Sequence, residues 1–94
     1  MLIQHEEVNH KGTFFVKDDK RQLAEMTYSI SDPNIMIINH TEVDELLKGK
    51  NIGYQLVQEA VEFARKNKYY IIPLCPFANA VFKKKKEEYK DVIR

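Results

Sequence analysis

The spacing of apolar residues changes character partway along the chain. Upstream the period is two: Ala24, Met26, Tyr28 and Ile30 alternate with Glu25, Thr27 and Ser29, as in a strand with one buried face. Residues 12–17, Gly-Thr-Phe-Phe-Val-Lys, read as a neighbouring strand, divided from residues 23–30 by the turn-forming Asp18-Asp19-Lys20. Ser31-Asp32-Pro33-Asn34 is a second turn by composition. A further strand follows over residues 35–42. It opens with Ile35-Met36-Ile37-Ile38, apolar on both sides, the pattern of a central strand covered on both faces.

Downstream the period lengthens to that of a helix. Leu56, Val57, Ala60, Val61 and Ala64 recur at helical spacing within residues 54–66, while Gln55, Gln58, Glu59, Glu62 and Arg65 take the other side. Asn67 and Lys68 end this helix, and residues 69–74 form a short β-rich run. Pro76 then opens a second helix with Phe77, Ala78, Val81 and Phe82 as its apolar stripe. Strands joined by turns from Ile3 onward, three of them antiparallel and followed by a fourth, then helix, strand and helix, predict an α/β fold (α+β by some schemes). Its mixed sheet has about five strands, antiparallel at the N-terminal side and completed by a parallel βαβ unit, with the helices packed on the sheet. Ligands of such sheets bind beyond the C-terminal ends of the parallel strands.

Composition narrows the picture. The 94 residues, 44% hydrophobic and 31% charged with three Gly and three Pro, predict one compact domain over residues 1–94. A domain this small buries only about two-thirds of the surface its unfolded chain exposes, so a large ligand has to lie in a surface cleft. No apolar run approaches the roughly 20 residues of a membrane span, and the polar, acidic start does not resemble a signal peptide. A cytoplasmic location without a membrane partner is the expectation. The single cysteine, Cys75, fits a reducing compartment and leaves a free thiol to explain.

The net charge of +1 conceals an asymmetry. Residues 1–47 carry four Lys and Arg against nine Asp and Glu; residues 48–94 carry eleven against five. The basic half suits a polyanionic ligand and the acidic half an amine. With three arginines and a net charge of +1, nucleic acid is not an expected partner. No metal is expected.

The candidate chemistry starts at Lys48-Gly49-Lys50-Asn51-Ile52-Gly53, between strand and helix. Glycine there allows positive φ and close approach of an anion, and the first helical turn leaves several N–H groups unpaired. The bland alternative is a helix start that uses glycine for tight packing. His5 and His10 show no partner pattern and read as surface residues.

A strand ending near Glu42-Val43, this basic glycine turn, an amphipathic helix, a short strand and a final helix resemble motifs A and B of the GNAT acetyltransferase superfamily. In that family the turn reads Gln/Arg-x-x-Gly-x-Gly/Ala and holds the pyrophosphate of acetyl-CoA. Lys48, Asn51 and Gly53 fall on the three defining positions, with Asn51 where glycine is usual; asparagine tolerates left-handed angles better than most residues. His40-Thr41-Glu42-Val43 and Pro73-Leu74-Cys75-Pro76-Phe77 resemble the short stand-alone GNAT-like branch. The resemblance implies acetyl-CoA as cosubstrate. It implies contacts from Glu42, Val43, Lys48, Gly49, Lys50, Asn51, Ile52, Gly53, Tyr54, Asn79, Phe82 and Lys83.

The departures bear on chemistry. Asn9-His10-Lys11-Gly12 is too short for the helices that full-length members place between their first two strands. With the sequence ending at Arg94 the acceptor site is expected to be open. Phe82 stands where the family often has a tyrosine that protonates the departing thiolate, and Tyr89 and Tyr54 are substitutes without positional support. Cys75 precedes Pro76 at a helix start, where a thiol pKa is lowered; it is a candidate acyl carrier or proton donor, or else a small buried hydrophobe. His40 and Glu42, at the end of the central strand, are candidate general bases, and His40 is near enough in the sheet to pair with Cys75. Thr41 with Asp44 reads as a helix cap. On a helix Lys83-Lys84-Lys85-Lys86 spread round the circumference, as a solvated face or a partner for the CoA 3′-phosphate. The implied activity is N-acetyl transfer to an unidentified amine, either a small molecule or a protein N-terminus or lysine. The alternative is a non-catalytic acyl-CoA-binding or sensor protein, and a third class is an interaction module with no cofactor.

Overall fold

The computed structural model describes residues 2–93; Arg94, at which the sequence ends, lies outside the described residues. Strands β1 (Gln4–Val8), β2 (Lys11–Lys17), β3 (Gln22–Ser31) and β4 (Ile35–Val43) are followed by a 3₁₀ turn (Glu45–Leu47), helix α1 (Ile52–Asn67), β5 (Tyr70–Pro73) and α2 (Pro76–Lys84). The sheet order is β1-β2-β3-β4-β5. All pairs are antiparallel except β4 and β5, which run parallel from Ile35↔Tyr70 to Ile38↔Pro73. The mixed sheet and βαβ unit are those the periodicities predict.

Helix α1 starts two residues before the periodic run, because Ile52 and Gly53 are already buried. It ends with Lys68 in the left-handed conformation, its N–H returning to Ala64 and Arg65 carbonyls. Leu56, Val57, Ala60, Val61 and Ala64 are fully buried against Met26, Met36 and Ile38. Each large apolar side chain so buried contributes about 1.5–3 kcal/mol. Ala78, Val81 and Phe82 of α2 join the same core, so both helices cover one face of the sheet. Here the structure corrects the expectation for Ile35 to Ile38: β4 has helices on one side only. The other face carries Thr13, Thr27, Ser29 and Ile37, with Ile72 of β5 exposed.

A β-bulge decides what β4 presents to each face. Tyr28 pairs with Ile38 but Thr27 pairs with His40, so Asn39 is the extra residue. Without it, His40 and Glu42 would share the helix side with Met36 and Ile38. With it, Thr41 and Val43, opposite the buried Met26 and Ala24, take the helix side. His40 and Glu42, opposite Thr27 and Glu25, take the open side.

The β1 end is held by a polar chain that the sequence does not announce: His5 lies at the surface as expected, but it has partners. Tyr28, 1% exposed, donates its hydroxyl proton to Glu7 Oε1 at 2.6 Å and meets His5 Nε2 at 2.5 Å. His5 stacks on Phe14 at 4.1 Å and meets the edge of Phe63. Burial lowers the His5 pKa, against the opposite pull of Glu7 and Glu59. Burial first, then the Glu7 carboxylate, raises the Tyr28 pKa well above that of a free phenol. Because the folded pKa lies above the unfolded one, this group's contribution is complete below about pH 10 and is lost as pH rises further. The wild-type melting temperature is therefore expected to fall more steeply between pH 9 and 11 than that of Tyr28→Phe; equal slopes in paired thermal melts would refute this.

Candidate functional site

Past Ile38, β4 and β5 part company. Leu74 and Cys75 both donate their N–H groups to Ile38 O, at 3.0 and 3.2 Å, and the β4–β5 ladder ends at Ile38↔Pro73. The following residues of β4 keep β3 on one side and face a cleft on the other. The chain then turns through the 3₁₀ segment. Its cap is Asp44, which accepts from Leu46 N–H at 2.9 Å and pairs with Arg21 at 2.6 Å. Thr41, the expected cap, instead lies within β4. The Leu46 N–H, and then Arg21, hold the Asp44 carboxyl below the ordinary carboxylate range.

Between this turn and α1 the backbone enters the left-handed region twice, at Gly49 (φ 81°) and at Asn51 (φ 58°, ψ 27°). A helix cap ordinarily sits in the β region and folds its side chain over the first N–H groups. Asn51 makes no such cap bond. Lys48 N–H and Lys50 N–H are spent on Glu45 O and Leu47 O. Among the described residues the N–H groups of Asn51, Ile52, Gly53 and Tyr54 have no acceptor. Such successive donors around a left-handed residue at a helix start form an anion-binding concavity.

They border a cavity of about 370 Å³ lined by Thr41, Val43, Leu47, Lys48, Gly49, Asn51, Ile52, Gly53, Tyr54 and Phe77. Phe77 packs so closely on α1 that a Cβ on Gly53 would lie 2.5 Å from its Cζ, and Tyr54 meets Phe77 edge to face at 6.1 Å. The absence of a side chain at Gly53 shapes this wall. A larger depression of about 610 Å³ lies elsewhere, lined by Glu6, Lys11, Thr13, Thr27, Ser29 and Asn39 among others. It has no helix terminus and so lacks the run of unpaired N–H groups that borders the smaller cavity, whose lysine, Lys48, pairs with Glu45 at 2.9 Å.

Cys75, 4% exposed, stands at the N-cap of α2 with Pro76 at the first helical position, as the sequence indicates. It makes no conventional cap bond. Burial pushes its thiol pKa up, but the Thr41 side chain and the N–H groups of Ala78, Phe77 and Thr41 outweigh this and leave it lowered. The Thr41 hydroxyl is itself buried and has no partner in full hydrogen-bond geometry; what it faces is the sulfur. His40 is not there. It contacts Glu42 at 3.1 Å, both side chains exposed, on the opposite side of β4.

The cavity therefore gathers Val43, Lys48, Gly49, Asn51, Ile52, Gly53 and Tyr54 of the expected contacts, while Glu42, Lys50, Asn79, Phe82 and Lys83 do not line it. Asn79 Nδ2 donates to Pro73 O at 3.4 Å, tying β5 to α2. Phe82 is buried against Tyr89, and the Tyr89 hydroxyl donates to Gln58 Oε1 at 2.9 Å. Tyr89 is thus committed inside the protein. Thr41 and Phe77 were missed as lining residues; the signal for Thr41 was its alternation with Val43, obscured by the bulge. Lys83 is exposed on the last turn of α2. Lys85 forms the C-cap and Lys86 lies beyond the helix, so the lysine run does not encircle one helix. Among the described residues no group of three His, Cys, Asp or Glu is placed to hold a metal, and no helix is long and apolar enough to cross a membrane.

A parallel strand pair that splays beside a helix start with unpaired donors places this chain among the mixed-sheet α/β proteins. Residues 13–92 match the family model described as GCN5-related N-acetyl-transferase, and the chain belongs to that family. The solution structure of a GCN5-like protein from Staphylococcus aureus is similar over 97% of this chain and 87% of that one, at 34% identity and a TM-score of 0.72. A ribosomal-protein-alanine N-acetyltransferase from Brucella melitensis shares the fold at 13% identity (TM-score 0.63, 93% of this chain). So does AAC(6′)-Iy in complex with the bisubstrate analogue CoA-S-monomethyl-acetylneamine, at 10% identity (TM-score 0.56, 85% of this chain). The chain spans only 64% and 61% of those last two proteins. No curated protein matches its sequence.

Proposed function

We propose that the protein uses acetyl-CoA to acetylate an amine. The observation that carries this reading is the set of unspent N–H groups from Asn51 to Tyr54 opening on the cavity beside the β4–β5 cleft. The diphosphate takes those donors, with Lys48 at the cavity wall, and the thioester arm follows the free edge of β4 past Thr41 and Val43.

In this reading β4 separates two roles. The acceptor comes to the helix-free side, where the exposed His40–Glu42 pair takes the proton released as the amine attacks the thioester carbonyl. The helix side holds Cys75 and Thr41, with the thiol either returning a proton to the departing sulfur or accepting the acyl group first. Because the bulge places His40 and Cys75 on opposite sides, their direct pairing is not part of the mechanism.

A second reading, acyl-CoA binding without turnover, is favoured by one observation: Phe82 brings no hydroxyl to the expected acid position, and the hydroxyl of Tyr89, one of the two substitutes, is bonded to Gln58. Release of CoA thiol, measured across a panel of small amines and peptides, separates the two. Turnover with any acceptor is expected, and none across the panel would leave the binder. Cys75→Ala is expected to lower turnover at least tenfold with binding retained; an unchanged rate would make the thiol structural.

A further inference from the structure

Two lysines at the end of α2 converge on one side chain of the cavity. The Nζ atoms of Lys84 and Lys85 each lie 5.9 Å from the ring centre of Tyr54, and Tyr54 lines the cavity. Among the described residues Lys84 has no carboxylate partner, and Lys85 reaches only Glu88, at 3.7 Å. Two ammonium groups drawn to one ring repel each other, and an anion placed beside both turns that repulsion into attraction. The Tyr54 N–H belongs to the donor set at the start of α1, so the lysines mark a second anionic position next to the first.

Resting on the reading that an acyl-CoA fills the cavity, we propose that Lys84 and Lys85 form a separate site for the 3′-phosphate of its ribose. The protein then selects CoA thioesters over their 3′-dephospho counterparts. A phosphomonoester carries close to two negative charges near neutral pH and is well served by point-charge ammonium groups. Lys83, exposed one residue earlier on the helix, makes no contact with the Tyr54 ring, and Lys86 lies past the helix end. The selecting pair is therefore narrower than the lysine run.

The test compares binding of acetyl-CoA and 3′-dephospho-acetyl-CoA by calorimetry at low and high salt. The proteins are the wild type, the double variant Lys84→Ala with Lys85→Ala, and the control Lys86→Ala with Lys90→Ala. The wild type is expected to prefer acetyl-CoA by about tenfold at low salt, with the preference shrinking as salt screens it. The double variant should bind both compounds alike, and Lys84→Arg with Lys85→Arg should restore the preference. Equal binding of the two compounds by wild type, or a preference that survives the double substitution, overturns the proposal. Failure of the wild type to bind either compound overturns the acyl-CoA reading beneath it.

Discussion

Replacing Gly12 by alanine is expected to lower the melting temperature by roughly 15 °C. A Cβ at this position would lie 2.3 Å from Tyr28 Cζ and 2.4 Å from its hydroxyl, and neither side can give way. Tyr28 is 1% exposed and is held by Glu7 and His5, while Gly12 pairs directly with it across β2 and β3. Overpacking a fixed site costs about 1–3 kcal/mol, and displacing the phenol also forfeits about 1 kcal/mol of hydrogen bonding. A loss of about 3 kcal/mol shifts the midpoint of a domain this size by 12 °C or more, taking about 4–8 °C per kcal/mol. Thermal denaturation followed by circular dichroism checks this, and a midpoint within a few degrees of wild type would show that the ring is not held as described.

Gly53→Ala is expected to do the reverse, sparing the fold and damaging the site. The added Cβ meets the Phe77 ring at 2.5 Å, as at Gly12, but Phe77 is 38% exposed and free to swing. Alanine in place of glycine also favours the helix by about 1 kcal/mol, which offsets much of the clash. Phe77 is a wall of the cavity, so its displacement changes the space beside the N–H groups of Asn51 to Tyr54. Affinity for acetyl-CoA is expected to fall at least tenfold, about 1.4 kcal/mol, with the melting temperature nearly unchanged. Titration and melting of the same sample check both halves. Wild-type affinity in this variant would mean that the ligand does not use this wall.

Much of this fold is legible in the sequence because its periodicities are clean. The alternation over residues 23–30 and the helical spacing from Leu56 to Ala64 each give one buried face, and the structure buries those faces. The glycine turn was legible for a similar reason. Gly49 and Asn51 are residue types that accept positive φ, and both adopt it. The arrangement around Cys75 was not. A single extra residue, Asn39, reverses the sides of every later side chain in β4, and no local pattern announces it because Asn39-His40-Thr41-Glu42 is polar throughout. Placing His40 near Cys75 followed from counting along a regular strand. Apolar residues on both sides of β4 pointed to two covered faces, but Ile37 answers to the open face, beside the exposed Ile72 of β5. The Tyr28–Glu7–His5 chain depends on contacts across two strand pairs, which a single sequence does not encode in any short motif.

The four N–H groups from Asn51 to Tyr54, on which binding of the diphosphate depends, are directly observable. Titration of the protein with acetyl-CoA, followed by amide nitrogen–proton spectra, is predicted to move the resonances of Asn51, Ile52, Gly53 and Tyr54 first and furthest, with those of Thr41 and Val43 following. Unmoved resonances at millimolar acetyl-CoA, or shifts confined to the depression around Thr13, Thr27 and Ser29, would contradict that mode of binding.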